Sequence, residues 1–368
     1  MLDILLIALA DVTRDARTLN AARVLARAGY RVGVLAAGAD VSEPNLQHIP
    51  WHDPGGRAWR RRRALTRAAR AADARPRVVA AMDFFALQAA FAVAGRCDAR
   101  VVYDAREFYF ALGPLAGNPV RQFVLAWIER RAIRRVDAVT VSGPLDADVL
   151  AERYALTERP AVILNTPPYA DRVASDLLRR HCDIPSTELV LLYQGVVHHG
   201  RGIEPVMAAM ATSSDVHLCV IGDGPARAAL EQRAAALGVA DRVHWVGSIP
   251  YDDLHAWTCS ADVGLTLIED VSMSYAYALP NKFFEYMRAR IPQLVSDLPA
   301  LHAMAQEHPV GLLLHAALTP QDVARAIDRL RNSVTRQAFA AQCDDIRDLC
   351  YERQARVLLD VYASMMER

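Results

Sequence analysis

The sequence predicts an α/β chain built as two Rossmann-like domains. Three observations carry this. The chain has 368 residues with 53% hydrophobic content, too long for one ordinary core and ample for two. Short apolar runs alternate with helical stretches in both halves, the pattern of parallel sheets with crossover helices. A Pro167-Pro168 pair then punctuates the chain before a second series of the same kind begins. The reading gives a first domain over 1–168, a second over 169–345 and a terminal helical segment over 346–368.

In the first half, Ile4 to Leu9 reads as a buried parallel strand, Leu19 to Ala28 as a helix closed by Gly29, and Tyr30 to Ala36 as the next strand. The intervening loop lies at a strand's C-terminal end, where open α/β sheets bind ligands. It lacks the G-x-G-x-x-G fingerprint, which argues against a dinucleotide. Asp11, Arg14 and Arg17 in this loop are candidate acceptor-binding residues, with a solvated charged loop as the alternative. Further strands are expected at Val78 to Met82 and Val101 to Tyr103, the second running into Asp104-Ala105-Arg106-Glu107. A local ion-pair cluster is one reading of that run.

Between those strands, Trp59 to Arg70 is helical by its Ala, Leu and Arg content and strongly cationic. Peripheral contact with an anionic membrane is one reading, and a solvated basic helix the other. Nucleic acid ranks below both, because no aromatic residues interleave with the bases and the chain is neutral overall. A helix through Trp127 leads to a strand at Val136 to Ser142, then a helix, then Ala161 to Leu164 before the proline pair.

The second half opens with a strand at Leu189 to Tyr193 and a glycine loop, Gln194 to Glu204. That order places backbone amides around an anion. Strands follow at Val216 to Ile221, before Gly222-Asp223-Gly224-Pro225, and at Val243 to Gly247. The polar run Ile268 to Tyr275 delivers the chain to Leu279-Pro280-Asn281-Lys282-Phe283-Phe284-Glu285-Tyr286-Met287. Here Pro280 suits the run-in to a helix, Asn281 its cap, and Phe283, Phe284 and Met287 its buried face. Lys282 is the one lysine among 42 basic residues, so a compositional drift toward arginine has spared it. A compact ammonium just inside a helix N-terminus suits a pyrophosphate. Thr319 to Leu330 and Gln337 to Met366 read as amphipathic helices.

The run PNKFFEYMRARIPQLVSD resembles the C-terminal-domain signature of retaining GT-B glycosyltransferases of family 4. The resemblance implies two Rossmann-like domains facing across a cleft, with a final helix crossing back to the first domain. It implies ribose binding by Glu285 and phosphate binding by Lys282 and Asn281. The pattern's second, upstream glutamate falls at Ala278, for which Glu269 or Asp270 is a candidate substitute. Gln194 to Glu204 resembles the family's phosphate loop, with Gly195 in the turn and Arg201 as its base. Gly222 belongs to a run like "v-I-G-D-G-P", and Trp245 to one bordering the nucleobase. Asp104-Ala105-Arg106-Glu107 resembles "YDAHE", which places Asp104 and Arg106 beside Lys282 as candidate catalytic residues, with Arg106 where the family has histidine.

The activity implied is transfer of a hexosyl unit, with retention, from a UDP- or GDP-sugar to a saccharide or lipid-linked saccharide, in bacterial surface polysaccharide or glycolipid synthesis. The alternative is a non-catalytic GT-B-like subunit assembling with a true transferase. No cofactor and no metal are expected, because no D-x-D carboxylate pair sits at a strand end. Charge is unevenly spread: 24 Arg against 17 acids through Asn165, and 18 bases against 25 acids after it. Six cysteines lack C-x-x-C or zinc spacing, which suits buried thiols in a reducing cytosol. With no basic leader and no apolar span, a cytoplasmic chain is expected, peripheral on the inner face of the cell membrane if the basic helix docks.

Overall fold

The computed structural model describes residues 2–115, 117–343 and 349–367. They form two compact units, one of residues 1–165 with the C-terminal segment from Glu352 on, the other of Thr166–Tyr351. Each is a wholly parallel sheet covered by helices.

The first sheet contains β1 (Ile4–Asp11), β2 (Val32–Ala37), β3 (Leu46–Pro50), β4 (Val78–Ala81), β5 (Arg100–Ala105), β6 (Ala138–Val141) and β7 (Ala161–Val162), in the order β3-β2-β1-β4-β5-β6-β7. Ile4 to Ala8 are fully buried, as a central parallel strand covered on both faces requires. The helix Tyr351–Glu367 packs on this unit, with Leu358, Tyr362 and Met365 in the same core cluster as Ile4 and Leu6. The Gln354 side chain also accepts the Leu164 N–H at 3.0 Å.

The second sheet contains β8 (Leu189–Gln194), β9 (Val216–Ile221), β10 (Val243–Gly247), β11 (Val263–Thr266), β12 (Gln293–Asp297) and β13 (Gly311–His315). Its order, β10-β9-β8-β11-β12-β13, repeats the doubly wound pattern of the first. Four strands escaped the sequence reading: β3, β11, β12 and β13. Leu46–Pro50 alternates weakly and ends in proline, which its place at the sheet edge tolerates. Gly311–His315 is a short edge strand after a helix. The expected helix at 337–366 is two helices, Ser333–Ala341 and Tyr351–Glu367, and residues 344–348 lie outside the described residues.

Candidate active site

In the second unit β8 and β11 are neighbours, and the sheet grows away from them in opposite directions. A crevice opens beyond the C-terminal ends of two such strands. Gly222, just after β9, has φ +121°, and a Cβ there would stand 2.1 Å from the Gly195 carbonyl oxygen. Glycine therefore lets the loops after β8 and β9 meet backbone to backbone. Gly195 N–H donates to Ile221 O at 2.9 Å and Val197 N–H to Asp223 O at 3.0 Å. At Gly202, φ +73°, a Cβ would lie 2.3 Å from Leu267 Cβ, so the Arg201 loop sits directly on the chain leaving β11.

A cavity of about 420 Å³ opens at this point. Gly195, Arg201, Gly222, Asn281, Lys282 and Glu285 all line it, together with Tyr193 and Gln194 from the end of β8. The helix Asn281–Arg288 starts from Pro280, whose extended backbone (φ −74°, ψ 145°) occupies the cap position. Asn281 is thus the first helical residue and not the cap, because proline's fixed φ and missing N–H suit the entry better.

Lys282 is 6% exposed. Its Nζ stands 3.7 Å above the centre of the Tyr193 ring and has no hydrogen-bond partner. Burial drives its pKa well below the usual lysine range, the Arg201 charge adds to this, and Glu285 pulls the other way. Glu285 is buried as well and accepts a short hydrogen bond from Gln194 Nε2. Burial pushes its pKa up, opposed by Gln194, Arg288 and Lys282. Thr258 Oγ1 donates to Gln194 Oε1 at 3.0 Å, which orients the amide so that its NH2 faces the carboxylate. The Arg201 guanidinium lies 4.5 Å over the Tyr275 ring. Two basic side chains and a helix start therefore face a cavity whose carboxylate is already engaged by an amide. A buried ammonium without a partner is costly, and an anion is the partner this arrangement lacks.

In the first unit, Asp104 is 4% exposed at the end of β5. Arg17 grips it with Nε at 2.8 Å and Nη2 at 2.7 Å, and sends Nη1 to Ile163 O at 2.6 Å. Thr140 Oγ1 donates to it at 2.8 Å. Arg106 joins through Nε at 3.0 Å, then reaches both Asp15 oxygens at 2.8 Å and Thr18 Oγ1 at 2.6 Å. Burial raises the Asp104 pKa, but Arg17 and Arg106 more than offset it and leave it at about 2. Burial likewise works against the Arg106 charge, and Asp15 and Asp104 overcome it.

Two family descriptions match the chain: "Glycosyl transferase 4-like domain" over residues 15–166 and "Glycosyl transferases group 1" over residues 188–333. The chain belongs to the group 1 glycosyltransferases. It is 24% identical over 229 residues to the alpha-D-kanosaminyltransferase of Streptomyces kanamyceticus, covering 56% of this chain and 54% of that protein. The chain spans about half the length of the curated relatives it matches, or less. Sucrose-phosphate synthase from Thermosynechococcus elongatus superposes with TM-score 0.80 at 17% identity, covering 100% of both chains. A crystal structure of Anabaena HepE in complex with UDP-glucose gives 0.77 at 13%, covering 99% of this chain and 100% of that one. At these identities the likeness concerns the fold, which is the GT-B α/β fold that the sequence resemblance implied.

Within this group 1 glycosyltransferase, some expected site residues stand elsewhere. Trp245 does not line the cavity. It packs against the core beneath Arg227, whose guanidinium lies 5.6 Å from its ring, while Ser248 and Ile249, past the end of β10, face the cavity. Glu269 and Asp270 line a separate groove with Glu204 and Arg233 and are not among the residues lining the donor cavity. Arg17 is an interior residue, 8% exposed, with four hydrogen bonds, and is not a free acceptor ligand. Asp104 is equally interior, held by three side chains, which is the ion-pair reading of its run extended by Arg17. Arg106 keeps some exposure but its donors go to Asp15, Thr18 and Asp104. Asp11 caps the short turn Val12–Arg14, accepting from Thr13 N at 2.9 Å, and the Arg14 side chain lies outside the described residues. Sequence reasoning missed Gln194, Thr258 and Tyr193. A polar residue closing an otherwise apolar strand just before Gly195 was the available signal for Gln194.

Proposed function

We propose that the chain is a retaining hexosyltransferase using a UDP- or GDP-sugar and a saccharide or lipid-linked saccharide acceptor, in surface polysaccharide or glycolipid synthesis. The observation that carries this is the buried Lys282 amine, without a hydrogen-bond partner, at the start of the helix Asn281–Arg288, in one cavity with Arg201 and Glu285. When the anomeric bond breaks, negative charge develops on the diphosphate, and stabilising that charge is the main electrostatic task. Lys282, Arg201 and the helix N-terminus supply it, and we place no metal in this reaction. Glu285 would accept hydrogen bonds from the ribose hydroxyls, with the Gln194 amide favouring its ionised form against burial. The UDP-glucose-bound structural neighbour supports a nucleotide-sugar donor, and the kanosaminyltransferase relative supports transfer of a sugar.

One observation favours a second reading, a non-catalytic subunit. Glu285 is the one carboxylate lining the cavity among the described residues, Ala278 occupies the position of the family's second, and Glu269 and Asp270 line another groove. Incubation of the purified chain with UDP- and GDP-hexoses and saccharide acceptors decides between them. Release of nucleoside diphosphate that is lost in Lys282→Ala supports the transferase. Tight nucleotide binding without turnover supports the subunit.

A further inference from the structure

Two exposed features of the first unit do not line the donor cavity. The helix Pro119–Ile133 buries Ala126, Glu129 and Ile133. Its opposite side carries Val120, Phe123, Val124 and Trp127, which are 71%, 71%, 46% and 51% exposed. This i, i+3, i+4, i+7 spacing draws one continuous apolar stripe along the helix. Such a stripe on a surface helix marks an interaction site. Every charged residue exposed on this helix is basic: Arg121, Arg130 and Arg131, with Arg134 and Arg135 following. The one acid, Glu129, is buried and accepts from the Tyr103 and Tyr154 hydroxyls at 2.7 Å each. The Arg131 guanidinium lies 4.9 Å from the Trp127 ring, extending the stripe into a cationic end.

The second feature is the helix Ala58–Ala71. Arg60, Arg63, Arg67 and Arg70 share one face of it and, with Trp59, line a groove of about 530 Å³. Among the described residues none of these four forms an ion pair, and all four are exposed. The Arg63 guanidinium lies 5.2 Å from the half-exposed Trp59 ring. Both helices belong to one layer. They connect β3 to β4 and β5 to β6, with Leu87–Cys97 connecting β4 to β5 between them. All three crossovers step the same way along the sheet, so right-handed connection puts them on the same face. Direct contacts agree: Arg96 of the middle helix donates to Arg70 O and Ala69 O, and Arg135 lies 4.3 Å over the Phe91 ring.

We propose that this helical layer is a docking surface for an anionic lipid bilayer, with the stripe Val120-Phe123-Val124-Trp127 entering the interface and the Arg60–Arg70 row on lipid phosphates. Charge and apolarity together select this occupant. A soluble polyanion or nucleic acid would use the arginine row but leaves Phe123 and Trp127 in water. A second copy meeting through the stripe would bring two wholly basic rims together. A bilayer takes both, phosphates against guanidinium and acyl chains against the stripe, with tryptophan at headgroup depth. The surface is independent of the donor cavity, and its test reads binding rather than turnover.

The experiment is co-sedimentation of the full chain with phosphatidylglycerol–phosphatidylcholine vesicles and with phosphatidylcholine alone, at low and high salt. Four proteins are compared: wild type, Phe123→Ser/Trp127→Ser, the Arg60, Arg63, Arg67 and Arg70 to Gln variant, and Trp127→Phe. Wild type is expected to pellet with anionic vesicles only and to be released by salt. Each multiple variant should lose at least about tenfold in partition. The blue shift of tryptophan emission on vesicle binding should shrink in Trp127→Phe. A wild type left in the supernatant, or pelleting equally with neutral vesicles, overturns the proposal. Full binding by the Phe123→Ser/Trp127→Ser variant shows that the arginines alone hold a polyanion and overturns insertion. A dimer in light scattering that this variant abolishes assigns the stripe to self-association and overturns it too.

Discussion

Replacing Lys282 by methionine should move stability and ligand affinity in opposite directions. Methionine keeps most of the length of the side chain and removes the amine, so the packing against Tyr193 is largely preserved. The wild-type amine is buried with no hydrogen-bond partner, a state that costs about 1–3 kcal/mol, so the ligand-free variant should be more stable by about that amount. Losing a charge-assisted contact to a diphosphate should cost about 1.5–3 kcal/mol, or roughly one to two decades in affinity. Urea unfolding without ligand and calorimetric titration with UDP and GDP measure the two effects. pH supplies an independent check. The folded-state pKa lies well below 10.5, so between the two values the unfolded chain holds more protons and wild-type stability rises with pH. Over the same window the free amine is neutral, and diphosphate binding must draw in a proton. Wild-type affinity should therefore fall as pH rises, and the variant should lose that slope. A variant that is less stable, or that binds nucleoside diphosphates as wild type does, refutes the anion-site reasoning.

Glu285→Gln should weaken UDP binding more than 2′-deoxy-UDP binding in the same titration, and equal losses would mark a structural carboxylate held for Gln194. Asp104→Asn should cost about 3–5 kcal/mol in urea unfolding at pH 7, because Arg17 and Arg106 lose the charge between them. Since Asp104 sits at about 2 when folded, the stability it contributes is present above about 4 and fades as pH falls through about 2, so the variant's deficit should shrink in acid. Asp146 is pushed up to about 6, mainly by burial, so its ionised form opposes folding at neutral pH. Asp146→Asn should raise stability there by about 1–2 kcal/mol, with the gain vanishing as pH falls toward about 4. Gly222→Ala should lose about 2 kcal/mol or more in thermal melts, because it combines a φ of +121° with a 2.1 Å approach to the Gly195 carbonyl. An unchanged melting temperature would show that the two loops can part.

The sequence by itself determined the two α/β units and most of their strands, and with its family resemblance most of the donor cavity. These rest on local signals: apolar runs bounded by turn residues, glycines where the backbone must approach closely, and a lone lysine at a proline-led helix start. Gly195, Arg201, Gly222 and Glu285 are legible through the resemblance of their runs to the family's, and Lys282 also as the lone lysine at a helix start. Tertiary structure alone decided which charged residues are spent inside. Asp104, Arg17 and Arg106 look like site residues in one dimension, yet Asp15, Thr18 and Thr140 arrive from other elements to engage them. Burial of Lys282 was likewise invisible, since it depends on Tyr193 standing beneath the amine from a strand almost ninety residues away. The stripe on Pro119–Ile133 escaped for a related reason. That helix is apolar on two sides, and only packing shows which side the core takes and which it leaves to solvent.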